Sequence, residues 1–416
     1  MRLADSYYGS PRWSGEFLDC SMPMTFDSYS SCGYGCLYCF AFFQRSISFG
    51  KQSYLKNEGR PVNIAGVKRI FTEPESSGFW PYVKRRLAMQ WGGMSDPFCR
   101  HERQQEVGLD LIRFFREIEY PVSFSTKGTW WLNDDRYLEA FRGAKHFHVK
   151  VSIITLEEEK ARGIERGCPS SLERLKAIGK LKELGIGGVT LRLRPFIIGV
   201  SDQTCEELIR AAAERGADSL STEFLCIESR CPMARDRYVE LGKYAGFDVQ
   251  ALYRKVSNSR SGYMRLNRSI KRPFVDRMEA ACAANSLRFY VSDAHFKERC
   301  ANGSCCGLPP SWNYTRHQYT EALLVAKTAG QVSFSEIYDG CDYLGADFQN
   351  FVHTGGPEQR AKFSGMSGLD YARFQWNAVN SARSPYKYFG GVLVPHGRDA
   401  KGDVVYLYTQ ADKPTR

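Results

Sequence analysis

Between residues 22 and 226, short strand-like runs alternate with amphipathic helical stretches. This order restricts the chain to an α/β fold with a parallel sheet and right-handed helical crossovers. Strand character falls at Met22 to Tyr29, Leu87 to Trp91, Pro121 to Ser125, His146 to Ile154, Val189 to Ile198 and Ser219 to Cys226. Helical spacing puts Val107, Leu111, Phe114, Phe115 and Ile118 on one face of Glu102 to Glu119. Leu172, Leu175, Ile178 and Leu181 form a stripe along Ser171 to Leu184, which Gly185 ends. A further helix runs from Thr204, its expected N-cap, to Arg215. These units predict a partial (β/α)6 TIM-type barrel, with Arg288 to Ser292 available as a seventh strand. Barrels of this kind carry their chemistry at the carboxyl ends of the strands.

A cysteine loop follows the first strand. Cys32, Cys36 and Cys39 stand at C-x3-C-x2-C spacing in a stretch opened by Gly33 and Gly35. Soft sulfur donors select iron–sulfur chemistry or zinc. A closed zinc site wants a fourth ligand, and residues 40–51 contain no Cys, His, Asp or Glu. Three thiolates wrap three corners of a [4Fe–4S] cubane and leave one iron open to a small molecule. A zinc knuckle with a distant fourth ligand is the alternative.

The chain has 416 residues, a net charge of +11 and 14 cysteines. No apolar run is long enough to span a bilayer, and the polar first residues do not read as a signal peptide. A cytoplasmic protein is expected, whose cysteines are ligands and core residues rather than disulfides. The expected divisions are an N-terminal extension over 1–20, the barrel over 21–230, a basic helical segment with an extra strand and second cysteine group over 231–314, and an α+β domain over 315–416. In the last, helices at Gln318 to Thr328 and Ser367 to Ser381 precede strands at Tyr388 to Val394 and Val404 to Tyr408. Helices followed by a β-hairpin suggest a winged-helix-like module or a generic cap over the barrel. Eleven Lys and Arg against ten Asp and Glu leave this part nearly neutral.

The cysteine spacing, with Tyr38 just before the last cysteine, resembles the radical S-adenosylmethionine (SAM) superfamily. Four stretches resemble its branch containing spore photoproduct lyase and DNA-repair-photolyase-like proteins: Gly92-Gly93-Met94-Ser95-Asp96-Pro97, Ser125-Thr126-Lys127-Gly128, Ser152-Ile153-Ile154-Thr155 and Leu193-Arg194-Pro195-Phe196-Ile197-Ile198-Gly199. Ile164-Glu165-Arg166-Gly167 fits the same branch, and the resemblance covers about residues 20 to 230. It implies a cluster that cleaves SAM to a 5′-deoxyadenosyl radical, fed by an external flavodoxin- or ferredoxin-type electron donor. It implies SAM contacts from Gly92, Gly93, Ser125, Lys127, Ser152 and Arg194, with Tyr38 and Phe40 flanking the adenine. The lyase carries a hydrogen-donating cysteine where Gly93 stands here; Cys99 is the candidate substitute, and thymine-dimer repair is not expected.

Cys300, Cys305 and Cys306 form a second group, read as a second iron–sulfur cluster, a zinc site or unligated thiols. Residues 254–277 carry eight Lys or Arg and one acidic residue. Arg260, Tyr263, Arg265, Arg268, Lys271 and Arg272 predict a phosphate-contacting surface for DNA or RNA. A peptide- or small-molecule-modifying enzyme and a non-catalytic iron–sulfur nucleic-acid-binding protein are the rival readings.

Overall fold

The structure, a computed structural model, describes residues 11–409 except 15, 50–58, 74–76, 232–233, 258–261 and 345–364. Its central sheet contains β1 (Arg12–Trp13), β2 (Met24–Phe26), β3 (Met89–Trp91), β4 (Val122–Thr126), β5 (Phe147–Ser152), β6 (Gly188–Phe196) and β7 (Ser219–Phe224). Two short strands follow, β8 (Ile227–Glu228) and β9 (Tyr263–Met264), which pair only with each other. β10 (Arg288–Val291) then joins the far side of β7. The order is β1-β2-β3-β4-β5-β6-β7-β10; every pairing is parallel except that of β1 with β2. This is the partial barrel expected, with the seventh parallel strand in place.

The faces of the sheet separate by chemistry. Val149, Val151, Leu191 and Leu193 are buried in the apolar core, where the helix Ser171–Glu183 packs on β5 and β6. The alternate residues turn into the barrel and are polar. Ser123 Oγ, His148, Thr190 Oγ1 and Ser219 Oγ form a chain of hydrogen bonds of 2.9, 2.8 and 2.7 Å across four strands. The segment after β10 closes the barrel beneath this row. A Cβ on Gly188 would lie 2.9 Å from Pro309, and one on Gly307 2.9 Å from both Ser219 and Thr190.

Sequence and structure differ at the helix expected over Glu102 to Glu119. It is two helices, Glu102–Gln105 and Val107–Glu117, broken at Glu106, whose φ is 50°. The cause is Glu102, wholly buried, whose carboxylate accepts from the amides of Gly108 at 2.7 Å and Leu109 at 2.8 Å and from Tyr137 at 2.6 Å. These amides open the second helix, so Glu102 caps it from the preceding turn. Thr204 makes no side-chain cap to its helix, Cys205–Glu214; its hydroxyl accepts instead from the amide of Leu156 at 3.0 Å.

Beyond the barrel, helix Tyr319–Ala329 leads to β11 (Gln331–Val332), helix Phe334–Tyr338, helix Gly368–Asn377, β12 (Leu393–Arg398) and β13 (Val404–Tyr408). A short helix, Pro385–Tyr388, precedes β12, and the sheet order is β11-β13-β12, antiparallel throughout. Buried Asp19 ties the parts together. It accepts from the Thr320 amide and hydroxyl, both at 2.6 Å, from Tyr388 Oη at 2.7 Å, and from Lys297. Among the described residues no helix is long and apolar enough to cross a membrane.

Candidate active site

The cysteine loop leaves the carboxyl end of β2. Gly33 and Gly35 hold φ of 79° and 68°, and a Cβ on Gly33 would lie 2.7 Å from Arg100 Nε, so the tight wrap there needs glycine. Three contacts hold the loop. Arg237 donates to the carbonyls of Gly35 (3.0 Å), Cys36 and Leu37 (3.2 Å). Leu37 N donates to Ile164 O, and Gly167 N to Tyr34 O, each at 2.9 Å. Cys36 is buried, while Cys32 and Cys39 are partly exposed.

Two further thiols join this loop. Cys168 Sγ lies 3.9 Å from Cys36 Sγ, and Cys99, wholly buried, packs against Cys32. Cys168 follows directly on Ile164 to Gly167, the last residues of that stretch to carry the family resemblance. The Cys168 hydrogen bond holds the Cys36 thiol below its ordinary range against the opposing effect of burial, and Lys127 assists. Burial pushes Cys39 up to about 12. Metal ligation needs the thiolates, so loading this site releases protons. Among the described residues no three His, Cys, Asp or Glu side chains converge on a single metal ion. A cubane spreads its ligands over three irons and needs no such convergence. Three soft donors on one fixed, partly open loop therefore fit a cluster.

Of the residues expected to hold SAM, Lys127 stands beside Tyr38 and Cys36 of the loop, whereas Arg194 stands with Glu223 and Ser292. Gly92 has φ 81°, and a Cβ there would lie 2.7 Å from Ser95 O. The following turn is held by Asp27, which accepts from Met94 N at 2.6 Å and Ser95 N at 2.9 Å. A Cβ on Gly93 would stand 3.1 Å from Thr25 Oγ1, a buried hydroxyl without a partner among the described residues. Asp96 receives the Lys127 amide at 2.7 Å and Thr126 Oγ1 at 2.8 Å, which sets the end of β4. Lys127 Nζ lies 5.7 Å over the Tyr38 ring and 4.0 Å from Glu165, which also accepts from Tyr38 Oη and pairs with buried Arg174 at 2.6 Å. Arg174 also donates to Ser152 O at 2.7 Å. Phe40 is 47% exposed at the start of the helix Phe40–Phe49. Arg194 pairs with Glu223 and donates to Ser292 Oγ at 3.2 Å.

Deeper in the barrel the second cysteine group appears. Ser221 Oγ donates to Cys305 O at 2.9 Å, which fixes Cys305 and Cys306 inside the barrel above the His148 row. Cys305 donates to Cys306 and, with Lys150 nearby, lowers that thiol against burial. Cys20, unremarked in the sequence, is the third thiol of this neighbourhood. Cys300 is engaged elsewhere, hydrogen-bonded at 3.3 Å to both the amide and the carbonyl of Val291. Lys150 and Arg192, also unremarked, face the same space. Their signal was legible: each is a cation alternating with buried aliphatics in a strand.

The basic segment divides. Lys271 is 2% exposed and paired with Asp293 at 2.7 Å; Arg268 lies 3.3 Å from Glu298 and 5.3 Å from the centre of the Phe296 ring. Arg265 is exposed and Arg272 half-exposed. Tyr263 is half-buried in β9, with Arg230 5.9 Å from its ring centre. Arg260 lies outside the described residues.

No protein-family model matches the chain. An uncharacterized protein of Mycobacterium tuberculosis and its counterpart in Mycobacterium bovis are 25% identical to it over 206 residues, 47% of this chain. The chain spans 57% of the length of each. Among solved structures, a spore photoproduct lyase variant with bound AdoMet and dinucleoside spore photoproduct matches at a TM-score of 0.50 and 18% identity, over 66% of this chain and 77% of that one. A second variant of the same lyase matches at 0.50 and 17%, over 70% and 80%. The fold implied by the sequence resemblance is thus the fold found.

Proposed function

We propose that the chain is a radical SAM enzyme with a nucleic acid or nucleotide substrate. One observation carries the reading: a glycine-opened loop, held by Arg237, Ile164 and Gly167, presents Cys32, Cys36 and Cys39 at the carboxyl mouth of a parallel barrel. Cys32, Cys36 and Cys39 would hold a [4Fe–4S] cluster, which would supply one electron, taken from an external flavodoxin- or ferredoxin-type donor, for cleavage of SAM to methionine and a 5′-deoxyadenosyl radical. The chain's own residues bind and orient. A role for Lys127 in attracting the SAM carboxylate is supported by its ammonium, kept charged against burial by Cys36 and Glu165. Gly92 and Gly93 let backbone approach the methionine ammonium, Ser125 and Ser152 offer hydroxyls, and Tyr38 and Phe40 supply the adenine's flanks. The shared fold supports this, since in the lyase it holds AdoMet. Such a cluster suits a reducing compartment, the cytoplasm. The substrate reading rests on Arg265 and Arg272, two of the cations of the basic segment that keep contact with solvent.

A zinc reading has one distance in its favour, although no third ligand converges there among the described residues. Two thiolates on one tetrahedral zinc ion stand about 3.8 Å apart when Zn–S is about 2.3 Å, and Cys36 and Cys168 are 3.9 Å apart. Anaerobic purification, metal analysis and reduction with SAM decide between them. We expect iron, acid-labile sulfide and 5′-deoxyadenosine from the wild type, none of this product when Cys32, Cys36 and Cys39 are all Ala, and retained product in Cys168→Ala. Zinc without sulfide, lost in both variants, would establish the closed site instead. Iron and sulfide remaining in the triple variant would reveal a second cluster at Cys305 and Cys306.

A further inference from the structure

The barrel interior holds more positive charge than its carboxylates neutralise. Lys150 is wholly buried, and its ammonium donates to the neutral Gln90 Oε1 at 2.7 Å. Arg192, on the neighbouring strand, donates to Ser125 Oγ at 2.6 Å and has no carboxylate partner among the described residues. Arg194 is paired with Glu223. Among the described residues these three cations face one carboxylate, and ionising Cys306 would still leave one positive charge over. Burying an unmatched cation costs several kcal/mol, and a neutral side chain would fill these positions at lower cost. The space is open to the mouth. Gln90, Ser125, Arg192 and Ser292 keep partial exposure on inward faces, and Arg194 and Glu223 keep 30% and 21%.

We propose that Lys150 and Arg192 bind an oxyanion of the substrate, a phosphate or carboxylate group, inside the barrel beneath the cysteine loop. A guanidinium fork beside an ammonium suits two oxygens of one such group. The proposal deepens the reading above and rests on it for the identity of the neighbouring ligand. The carboxylate of SAM is the rival source of the anion, and Lys127 stands closer to the loop for that one.

The test uses inorganic phosphate, titrated calorimetrically into the cluster-loaded protein at low salt. One saturable site is expected, undisturbed by saturating SAM. Lys150→Met and Arg192→Gln should each weaken it by at least about tenfold, the loss of one charge-assisted hydrogen bond. Arg192→Lys should recover part of the affinity, and Arg136→Gln, on the outer surface, should change nothing. Phosphate should raise the unfolding midpoint of the wild type and of neither neutralised variant. If Lys150→Met does not fold, Arg192→Gln decides alone. Absence of phosphate binding, unchanged affinity in the neutralised variants, or displacement of phosphate by SAM each overturns the proposal. Phosphate binding without 5′-deoxyadenosine formation would sink the radical reading and leave this site standing; the reverse result would do the opposite.

Discussion

His148 stands wholly buried between Ser123 and Thr190, with no carboxylate partner among the described residues. Burial, with Lys150 and Arg288 adding to it, holds its pKa well below 6.5. The unfolded chain therefore takes up a proton near pH 6.5 that the folded chain refuses. Stability is full above 6.5 and falls as the pH drops below it. His146 and His295, each drawn down to about 4 mainly by burial, act in the same direction. Denaturant midpoints measured against pH should fall less steeply below 6.5 in His148→Gln, which retains a donor and an acceptor for the two hydroxyls. Parallel curves for variant and wild type would assign the acid sensitivity to other groups. The sequence placed His148 in a strand, but its ring became a link in a polar row only when the two neighbouring strands brought hydroxyls to it.

At the scale of elements, the segment after β10 is the feature that sequence patterning left blank. It has no helical or strand periodicity, yet it seats Gly307, Pro309 and the Cys305–Cys306 pair in the barrel. Gly307 holds φ 80° against the hydroxyls of Ser219 and Thr190, whereas Gly402, in the β12–β13 turn, holds φ 83° with nothing near its Cβ position. Gly402→Ala should cost about 1 kcal/mol, the backbone penalty alone. Gly307→Ala adds a steric clash and should cost at least about 2 kcal/mol. Urea unfolding of the two variants gives the comparison, and equal costs would mean that this segment does not fill the barrel. The broken helix at Glu106 has a similar origin. Its apolar stripe was continuous in sequence, but a buried carboxylate took the amides that would have continued the first turn.

For the whole molecule, the distribution of charge decides the partner. The eight cations of residues 254–277 looked like one surface, and folding removed Lys271 and Arg268 to ion pairs within the protein. If Arg265 and Arg272 each meet one phosphate, changing both to Gln should flatten the dependence of log affinity on log salt by roughly two units. Gel shifts on single- and double-stranded DNA and RNA across a salt series measure this. A wild-type protein showing no salt-sensitive binding to any of them would remove the nucleic-acid reading and put a peptide or small molecule in its place.

The order of strands, the loop with Cys32, Cys36 and Cys39 and its place after the first barrel strand are local properties. Periodicity, glycine placement and cysteine spacing carry them, so the sequence alone determined them. Cys99 and Cys168 beside the loop, the Asp19 junction, and the Lys150–Arg192 pair inside the barrel depend on which distant side chains share one face. Strand register decides that: in β6, Thr190 and Arg192 turn inward while Leu191 and Leu193 turn toward the helices. Only the partial barrel, with the segment after β10 packed into it, made that inner face a polar site rather than a solvated one.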